Sequence, residues 1–492
     1  SLWPTLTQAI ARPAEVIGTR PAPASIVHAP ALRRMNRRTF VKTSVLAGTA
    51  TALTAKSYSQ VAGANERVRI GIIGFGLIGR IHTRSFHQLK DSQVVAVSDC
   101  FRPRMEACAQ LVGGGCAPIP DFRRLLERKD IDAVVAGSGD YWHALHMMLA
   151  CDAGKDVYVE KPLHLFVREG EWMQKVAART KRVVQVGTQQ RSGAHYQRAK
   201  ELLRGGAIGD VVSVQCNFFR NIRPGIGRPP DGPAPADLDW NMLRGPAPER
   251  PYNVNRALYH FRWFWDTSGG QMTNLGHHSL DIVHWIFDLA APRAVSSSGG
   301  RLFLQDHGEV PDTQDAIIEY PGFNVIVQIR ECAAGAGTGG TGGLAFLGTK
   351  GTMTLGRAGF AIVPDKRTEP VNAFARILGG HPVGGPQPVP DPAGALWCEG
   401  VEDRSGNADR QFVDHAANFL ACVRSRQTPH SDLASSHWVS TACHLANISA
   451  RTGRKVFWDA AANDIRGDPE ASAMLQRPYR APWAAELGRL LA

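Results

Sequence analysis

Between residues 67 and 190, short apolar runs alternate with stretches in which apolar residues recur at helical spacing. Strands are predicted at 68–73, 94–98, 132–136, 156–160 and 183–187, and helices at 77–90, 103–111, 121–128, 143–153 and 167–180. Regular alternation of strand and helix is typical of a parallel sheet with helices on both faces. The pattern therefore predicts a doubly wound α/β domain over residues 65–190.

After residue 190 the strand-like stretches follow one another with few helices between them. A helix is predicted at 194–204, strands at 211–219, 301–305, 314–320, 323–331, 343–348 and 352–356, and closing helices at 409–425 and 433–452. Runs of strands without helical crossovers favour an α+β domain with a mostly antiparallel sheet. We assign this domain to residues 191–458 and treat 459–492 as a C-terminal tail.

Three segments rich in Pro or Gly interrupt the second domain. Residues 223–236 and 378–394 are predicted to be long surface loops. Residues 333–343 form a Gly/Thr-rich turn between two strands, and the composition fits either a passive hairpin loop or a mobile flap.

The first predicted strand leads directly into a glycine-rich turn, in the run VRIGIIGFGLIG at 68–79. The spacing G-x-G-x-x-G between a strand and a helix is typical of a turn that holds a pyrophosphate at the helix N-terminus. A purely structural turn is the alternative. The predicted cofactor loop comprises Gly74, Phe75, Gly76, Leu77, Ile78 and Gly79.

Asp99 ends the second apolar run, 20 residues after Gly79. A carboxylate at this distance accepts a hydrogen bond from a ribose 2′-hydroxyl and repels a 2′-phosphate, so it favours NAD. Arg102 follows closely and would counter that repulsion, which keeps NADP open as the alternative.

The first 64 residues differ from the rest, with eight basic residues against one acid, Glu15. The run Asn36 to Lys42, NRRTFVK, resembles a twin-arginine export signal, and the small residues 62–64 offer a cleavage site. Residues before Met35 would be an upstream extension. A disordered basic tail is the alternative, and the apolar run 44–55 is too short to span a bilayer.

This leader changes how the net charge is interpreted. Its removal would take the net charge from +12 to +5, so the basicity does not indicate a nucleic-acid surface. The twin-arginine route exports folded proteins, often with a cofactor bound, so we expect a periplasmic protein that carries its cofactor across. The nine cysteines form no C-x-x-C pair, and we expect free thiols rather than a zinc clip or a disulfide framework.

The fifth apolar run ends in Glu160-Lys161-Pro162. In a doubly wound sheet the carboxyl ends of the strands face the ligand crevice. A lysine there would be partly desolvated, with a lowered pKa, and suited to polarising a substrate hydroxyl. By position alone, a surface lysine in a turn is an equally good interpretation.

Several motifs together resemble one family. These are GFGLIG, Glu160-Lys161-Pro162, Val186-Gly187-Thr188-Gln189, Leu243-Arg244-Gly245-Pro246, the run FLGTKG at 346–351, and the run His415 to Leu420. Over most of 66–458 the chain resembles the glucose–fructose oxidoreductase, inositol dehydrogenase and rhizopine-catabolism family.

The resemblance implies a Rossmann domain followed by an α+β domain with an open sheet, through which homo-oligomers form. It also implies a nicotinamide dinucleotide, a sugar or polyol substrate, and Lys161 as a catalytic residue. By family position, Ser138 and His143 would contact the cofactor, together with Glu160, Lys161 and Gln189.

The second predicted catalytic segment is the run 269–285. By resemblance, His278 would be the general base, because Asp281 and Trp285 follow it at the expected offsets. The family's acid four residues earlier is replaced by Asn274, which can position a hydroxyl but cannot raise the pKa of the histidine. Asn274 would alternatively cap the helix that follows.

Other groups near this segment have two interpretations each. One helix face carries His277, Asp281 and His284, which would fit a metal site. Because no H-E-x-x-H motif is present, we favour the absence of a metal. Asp281 would then orient an imidazole or cap a local network. Aromatic residues precede the helix and would either stack on a pyranose or pack in the core. They are Tyr259, Phe261, Trp263, Phe264 and Trp265.

The sequence thus predicts an NAD(P)-dependent oxidoreductase for a sugar, polyol or sugar derivative, with Lys161 and His278 acting on the substrate hydroxyl. A second hypothesis is an NAD-dependent glycoside hydrolase that oxidises C3 transiently and eliminates the substituent. A third is a catalytically inactive dinucleotide-binding protein. No nucleic-acid partner and no stable membrane insertion are expected.

Overall fold

A computed structural model of the protein describes residues 67–335, 342–369, 389–391 and 393–492. The predicted leader at 1–64, the middle of the turn at 333–343 and most of the loop at 378–394 lie outside the described residues. Within the described part of the chain, no helix combines the length and apolar character needed to cross a membrane.

The N-terminal domain is built on a six-stranded sheet in which every neighbouring pair is parallel. Its strands are Val68–Ile73 (β1), Ser92–Ser98 (β2), Ala117–Pro118 (β3), Ala133–Ala136 (β4), Asp156–Val159 (β5) and Val184–Val186 (β6). Their order is β3-β2-β1-β4-β5-β6. The strand order therefore reverses between β1 and β4. At such a switch point a crevice opens at the carboxyl ends of the strands.

Five helices connect these strands and cover both faces of the sheet. They are Leu77–His87 (α1), Arg102–Leu111 (α2), Phe122–Glu127 (α3), Asp140–Asp152 (α4) and Val167–Thr180 (α5). Strands β4, β5 and β6 are buried along their whole length, which explains why they read as continuous apolar runs rather than alternating ones. The predicted doubly wound class is confirmed, and only the two-residue β3 was not predicted.

The second domain contains a ten-stranded sheet in the order β16-β13-β12-β11-β7-β10-β9-β8-β17-β18. Its strands are Val211–Phe219 (β7), Ala294–Gly300 (β8), Thr313–Glu319 (β9), Asn324–Arg330 (β10), Gly342–Gly348 (β11), Gly351–Gly356 (β12), Gly359–Pro364 (β13), Val401–Asp403 (β16), Val456–Asp459 (β17) and Asp464–Ile465 (β18). A short ribbon pairs Thr368–Glu369 (β14) with Val389–Pro390 (β15). Apart from the parallel pair β7 and β10, neighbouring strands are antiparallel, as predicted.

Helices cover one face of this sheet. The remaining α-helices among the described residues are Ala194–Arg204 (α6), Trp240–Arg244 (α7), His277–Phe287 (α8), Ala408–Ser425 (α9), Leu433–Thr452 (α10), Pro469–Ala473 (α11) and Trp483–Leu491 (α12). Along β10, Val325, Val327 and Ile329 are buried while their neighbours are not, the alternation expected of a strand with one covered face. These three side chains share a core cluster with residues of α6, α8 and α10.

The strand predicted at 301–305 is not present, and β8 lies just before it. The backbone amides of Phe303 and Leu304 donate to Asp312 Oδ2 at 2.9 and 2.8 Å. Amides that bind a carboxylate cannot also donate to a neighbouring strand, so this segment is a turn.

Residues 459–492 were predicted as a tail, but the segment is folded, and its last part packs onto the first domain. Tyr479, Trp483 and Leu490 are buried in the same core cluster as residues of α4 and α5. In addition, Tyr479 donates its hydroxyl to Glu169 Oε1 at 2.7 Å. The end of the chain, from Tyr479 onwards, is therefore part of the Rossmann domain in space, whereas Ile465, Ala471 and Leu475 lie in the core of the second domain.

Candidate active site

The glycine loop adopts the geometry that its spacing predicts. Gly74 has φ +87°, and a Cβ there would lie 2.9 Å from the carbonyl of Gly137. A Cβ at Gly79 would lie 2.0 Å from Gly74 O, so only glycine lets α1 pack this closely on the turn. At Gly76 the nearest atom would be Arg104 Nη1 at 3.6 Å, so that position is open towards the cleft.

A cleft opens above this loop at the carboxyl ends of β1, β2 and β4. Of the predicted cofactor residues, those lining it are Gly74, Gly76, Leu77, Ile78, Asp99 and Ser138. Phe75 and Gly79 are buried in the loop itself. A helix N-terminus with free amides beside an apolar-walled cleft is a suitable site for a dinucleotide pyrophosphate.

Asp99 lies directly after β2 and is fixed by two backbone amides. Its Oδ2 accepts from Phe75 N at 2.7 Å and its Oδ1 from Phe101 N at 2.9 Å. Burial raises the pKa of Asp99, while the charge of Arg104 and the two amides oppose that rise. The carboxylate is thus held in a fixed position on the wall of the cleft.

The arginine beside Asp99 is Arg104 rather than the predicted Arg102. Arg104 Nη1 lies 3.8 Å from Asp99 Oδ2, and Arg104 lines the cleft. Arg102 is exposed and lies 3.9 Å from Glu106 on the outer face of α2. Nothing in the sequence spacing distinguishes the two, because both lie in the first turn of the helix.

His143, predicted to contact the cofactor, lies beneath the cleft surface. Its Nδ1 is 2.7 Å from Pro162 O and its Nε2 is 3.1 Å from Ser138 O, so it joins the turn after β5 to the end of β4. His146, one turn later, lines the cleft, stacks on Trp142 and is 2.9 Å from Ser138 Oγ. The sequence analysis did not select His146.

Glu160, at the end of β5, is engaged by two groups. Its Oε1 lies 2.6 Å from His82 Nε2, and its Oε2 accepts from Lys161 N at 3.1 Å. Burial alone would raise the pKa of Glu160, but the hydrogen bond and charge of His82 and the charge of Lys161 lower it below its usual value. A carboxylate fixed in this way holds the backbone of the following lysine.

Lys161 and Asn274 are brought into direct contact. Lys161 Nζ donates to Asn274 Oδ1 at 2.9 Å and to Asn274 O at 3.2 Å. Burial lowers the pKa of Lys161, with Arg262 and Arg357 acting in the same direction, while Glu160 and Asp140 oppose them. Asn274 therefore acts as a neutral acceptor for this ammonium, and it lies before α8 without capping its amides.

His278 lies one helical turn beyond Asn274 and is buried, with an exposed fraction of 9%. Burial lowers its pKa well below the usual value, and the charges of Lys161 and Arg357 lower it further. Its Nδ1 is buried without a hydrogen-bond partner. A neutral imidazole with an unused ring nitrogen beside a lysine is suited to accept a proton.

The three residues considered as a metal site each have another partner. Asp281 forms a buried bidentate ion pair with Arg191, a contact that the sequence did not predict. Of its two predicted roles, Asp281 therefore has the one in a local network, since its carboxylate is bonded to a guanidinium rather than to an imidazole. His277 Nε2 is 3.0 Å from Ser440 Oγ, and His284 Nε2 is 2.6 Å from Tyr320 OH. Over the residues that the structure describes, no group of three His, Cys, Asp or Glu side chains is arranged to hold a metal ion.

Gln189 and the predicted aromatics occupy different environments. Gln189 follows β6 and is buried, with Oε1 lacking a partner. Tyr259 and Phe261 line the cleft, whereas Trp263 and Phe264 are buried in the core and Trp265 lies beneath Arg451. Core packing thus accounts for part of the aromatic run, as the alternative interpretation had it.

A segment of the second domain crosses the mouth of the cleft. We call residues 237–262 the strap, and its cleft-lining residues are Met242, Leu243, Leu258, Tyr259, Phe261 and Arg262. One end pairs with the chain after β2, through Asp239 N to Cys100 O at 2.8 Å and Arg102 N to Asp237 O at 3.0 Å. Its middle is fixed where Tyr141 OH donates to Leu243 O at 2.7 Å.

Three family models match the chain. They are described as "Oxidoreductase family, NAD-binding Rossmann fold" at residues 68–188, "GFO/IDH/MocA C-terminal domain" at 196–354, and "Oxidoreductase family, C-terminal alpha/beta domain" at 408–485. They follow one another in the order of the domains described above.

Curated relatives include inositol dehydrogenases. Inositol 2-dehydrogenase 3 of Saccharopolyspora erythraea is 37% identical over 152 residues, which are 30% of this chain and 44% of the relative. Inositol 2-dehydrogenase 1 of the same organism is 27% identical over 325 residues, which are 62% of this chain and 82% of the relative. The chain thus spans less than half of the first relative's length.

Among solved structures, a WlbA dehydrogenase from Bordetella pertussis in complex with NADH and UDP-GlcNAcA has the same fold. The TM-score is 0.57 at 19% sequence identity, covering 80% of this chain and 99% of the other. Because three models of one family match in order between residues 68 and 485, the chain belongs to the Gfo/Idh/MocA family of oxidoreductases with an NAD-binding Rossmann domain.

Proposed function

We propose that the protein is an NAD(P)-dependent dehydrogenase that transfers a hydride between a nicotinamide and a sugar, polyol or sugar derivative. The observation that carries this proposal is the contact between Lys161 Nζ and Asn274 Oδ1, with His278 one turn further along. The family match supports the nicotinamide, and the dehydrogenase relatives support the substrate class.

Each of the two catalytic residues has a distinct role in this proposal. Lys161 donates two hydrogen bonds to Asn274, and its third N–H is available to bind a substrate hydroxyl. His278 is neutral because burial lowers its pKa, so it accepts the hydroxyl proton as the C–H bond breaks. A nicotinamide bound in the cleft supplies the hydride acceptor.

Asp99 supports NAD as the preferred cofactor, since its carboxylate stands where a 2′-phosphate would be. The strap supports tight binding. It contributes six side chains to the wall of the cleft and is fixed at several points, so a dinucleotide beneath it would leave slowly. With a resident cofactor, a second sugar or aldehyde would take the hydride back in a ping-pong cycle.

We further propose export and assembly for this enzyme. The twin-arginine pattern at 36–42 supports folded export to the periplasm with the cofactor already bound. The uncovered face of the ten-stranded sheet exposes Ile317 and Val363 at 46% and 62%, which supports a homo-oligomer formed through that face.

The test is Lys161→Ala. We expect loss of sugar-dependent cofactor reduction while native mass spectrometry still finds cofactor on the protein. Lys129→Ala, at an exposed surface lysine, is the matched control and should retain full activity. Near-normal turnover by Lys161→Ala would refute the assignment.

A redox-neutral glycoside hydrolase is the second candidate, favoured by the neutral Asn274 in place of the family's acid. Transient oxidation of a sugar carbon, elimination of the substituent, addition of water to the resulting double bond and re-reduction give net hydrolysis and return the cofactor unchanged. Release of nitrophenol from a nitrophenyl glycoside without net cofactor reduction would favour this candidate, and net reduction without nitrophenol release would favour the dehydrogenase.

A further inference from the structure

A short segment in the C-terminal part of the chain contacts both sides of the cofactor cleft. We call residues 479–483 the latch. Tyr479 fixes it to the Rossmann domain, because its buried side chain donates a hydrogen bond to Glu169 Oε1 at 2.7 Å. From there Arg480 reaches the strap, and Trp483 packs behind the cleft. The latch therefore joins the strap to the opposite wall of the cleft.

Arg480 binds the strap on both sides of two residues that line the cleft. Its Nε donates to Gly245 O at 2.8 Å, and its Nη2 donates to Asn241 O at 2.7 Å. Its Nη1 also donates to Asn241 Oδ1 at 2.7 Å. Met242 and Leu243 lie between these two anchor points and are part of the cleft wall. One guanidinium thus fixes the stretch of the strap that faces the cleft.

The forked shape of the guanidinium, more than its charge, makes this contact. The Arg480 side chain is 16% exposed, and its acceptors include two main-chain carbonyls. It also pairs with Glu249 Oε2 at 2.7 Å, but that side chain is 74% exposed, and an ion pair with such an exposed partner contributes little. Planar N–H groups in a fixed fork reach several acceptors at once. Arg480→Lys would therefore keep the charge but lose part of the contact.

The strap lies directly on the wall of the cleft that it covers. Leu243 O accepts from Tyr141 OH at 2.7 Å and from Trp142 Nε1 at 3.2 Å, and both aromatic residues line the cleft. At Gly245, where φ is +48°, a Cβ would lie 2.2 Å from the Trp142 ring. Because the strap and the wall approach this closely, a displacement of the strap would change the shape of the cleft.

The other end of the latch supports this wall from behind. The ring of Trp483 meets the ring of Trp142 edge-on, with 4.8 Å between the ring centres, and its centre lies 6.0 Å from that of Phe122. Each of these three residues is 3% exposed, and Phe122 and Trp142 line the cleft. The latch is thus anchored in the core at Trp483 while Arg480 holds the strap.

We infer that the latch holds the strap over the bound dinucleotide, with Arg480 as the positioning residue that sets how slowly the cofactor leaves. This inference rests on the proposed cofactor-retaining dehydrogenase and assigns the cause of the retention to the C-terminal segment. A ligand beneath a covering segment leaves when that segment opens, and each hydrogen bond that holds the segment lowers the population of the open state. Breaking the contacts of Arg480 should therefore speed release without changing the groups that act on the substrate.

The test measures the release of NADH from the full-length protein, followed by NADH fluorescence after mixing with excess NAD. In Arg480→Gln the dissociation rate should rise about 10-fold to 100-fold, because the strap loses its hydrogen bonds to a charged donor. Arg480→Lys should release NADH at a rate between those of wild type and Arg480→Gln. Arg489→Gln is the matched control and should match wild type, because that arginine of α12 pairs with Asp152 and Glu486 and not with the strap.

Amide hydrogen exchange measures the opening of the strap independently of the cofactor. The amides of Asp239 and Gly245 donate to main-chain carbonyls, so they are protected while the strap is in place. In Arg480→Gln both amides should exchange faster, whereas β4, in the middle of the Rossmann sheet, should exchange as in wild type.

Asn241→Ala is a second variant, on the strap itself. Asn241 is exposed, and its side chain supplies one acceptor for Arg480. Its replacement should speed NADH release less than Arg480→Gln does, and should add nothing further when the two substitutions are combined.

The outcomes separate the latch from the dehydrogenase. Release of NADH from Arg480→Gln at the wild-type rate would overturn the inference and leave the dehydrogenase standing. Faster exchange in β4 as well as in the strap would also overturn it, because Arg480 would then stabilise the fold in general. Conversely, Arg480-dependent retention of NADH by a protein that reduces no cofactor with glucose or myo-inositol would support the latch and count against the dehydrogenase.

Discussion

Asn274 Oδ1 accepts a hydrogen bond from Lys161 Nζ at 2.9 Å, and Asn274 Nδ2 in turn donates to Gln271 Oε1 at 3.2 Å. The amide thus orients the lysine without adding a negative charge. Where the family resemblance implies an acid, this chain has a neutral amide, which accepts the hydrogen bond from Lys161 without supplying a counter-charge. The protonation of Lys161 and His278 is the property most affected.

Asn274→Asp should restore that charge and shift the pH profile. Wild-type kcat/KM should fall on the acid side only below the usual histidine range, because burial lowers the pKa of His278, and on the basic side below 10.5, because burial lowers the pKa of Lys161. A carboxylate at 274 stabilises both protonated forms, so both limbs should move to higher pH by about one unit. Asn274→Ala, which adds no charge, is the control, and superimposable wild-type and Asn274→Asp profiles would contradict this account.

Two glycines of the cofactor loop should respond differently to alanine. Gly79→Ala places a Cβ against Gly74 O, and we expect a loss of about 1–3 kcal/mol in the free energy of unfolding. Gly76→Ala meets only the mobile end of Arg104, so its thermal midpoint should stay near wild type while cofactor affinity falls. Thermal unfolding and NAD titration of both variants separate these effects, and equal losses of stability would be the contrary result.

Arg104, not Arg102, should influence which dinucleotide binds. Arg104→Ala removes the cation beside Asp99, so the Kd for NADP should rise by about tenfold more than that for NAD. Arg102→Ala is a matched control on the same helix, and it should leave both affinities unchanged because that side chain is exposed. A shift in the NADP to NAD ratio with Arg102→Ala alone would reverse the assignment.

A buried histidine cluster should make the protein sensitive to acid. His164 Nε2 lies 3.0 Å from His437 Nδ1, and His444 Nε2 lies 2.9 Å from His164 O. Burial lowers the pKa of His437 and of His444 to about 4, against 6.5 when unfolded. Between pH 6.5 and 4 the unfolded chain therefore binds more protons than the folded one, and stability falls as the pH falls.

Urea unfolding at several pH values measures this dependence. The slope of the unfolding free energy should exceed that of one proton, about 1.4 kcal/mol per pH unit, in that window. His437→Gln should reduce the slope, whereas His87→Gln, at an exposed histidine, should not. A flat profile between pH 6.5 and 4 would be incompatible with neutral buried histidines.

The sequence predicted those parts of the molecule that depend on local pattern. The strands of the Rossmann sheet are apolar runs because both faces are covered, and α6 and α10 were predicted to the residue. Strand β8 was missed because its sequence, AVSSSGG, is rich in Ser and Gly, and it becomes a strand only through pairing with β9 and β17. Tertiary pairing there overrides a weak intrinsic preference.

At the site, the residues with a motif were identified and those placed by distant contacts were not. The glycine loop and Asp99 belong to one strand-turn-helix unit, so spacing was sufficient to place them. Arg191 lies 90 residues before its partner Asp281 in the chain, and no local pattern marks the pair. The choice between Arg102 and Arg104 depends on the direction of a helix, which spacing of two residues does not determine.

The packing of the chain's last segments has a consequence for how the enzyme is made. Phe419 and Leu420 of α9 share a core cluster with β1, and Trp483 and Leu490 share another with α4. A nascent chain that stops at residue 190 therefore lacks part of the interior of its first domain. The interior of the first domain is therefore expected to be completed only after the last helix of the chain has been synthesised.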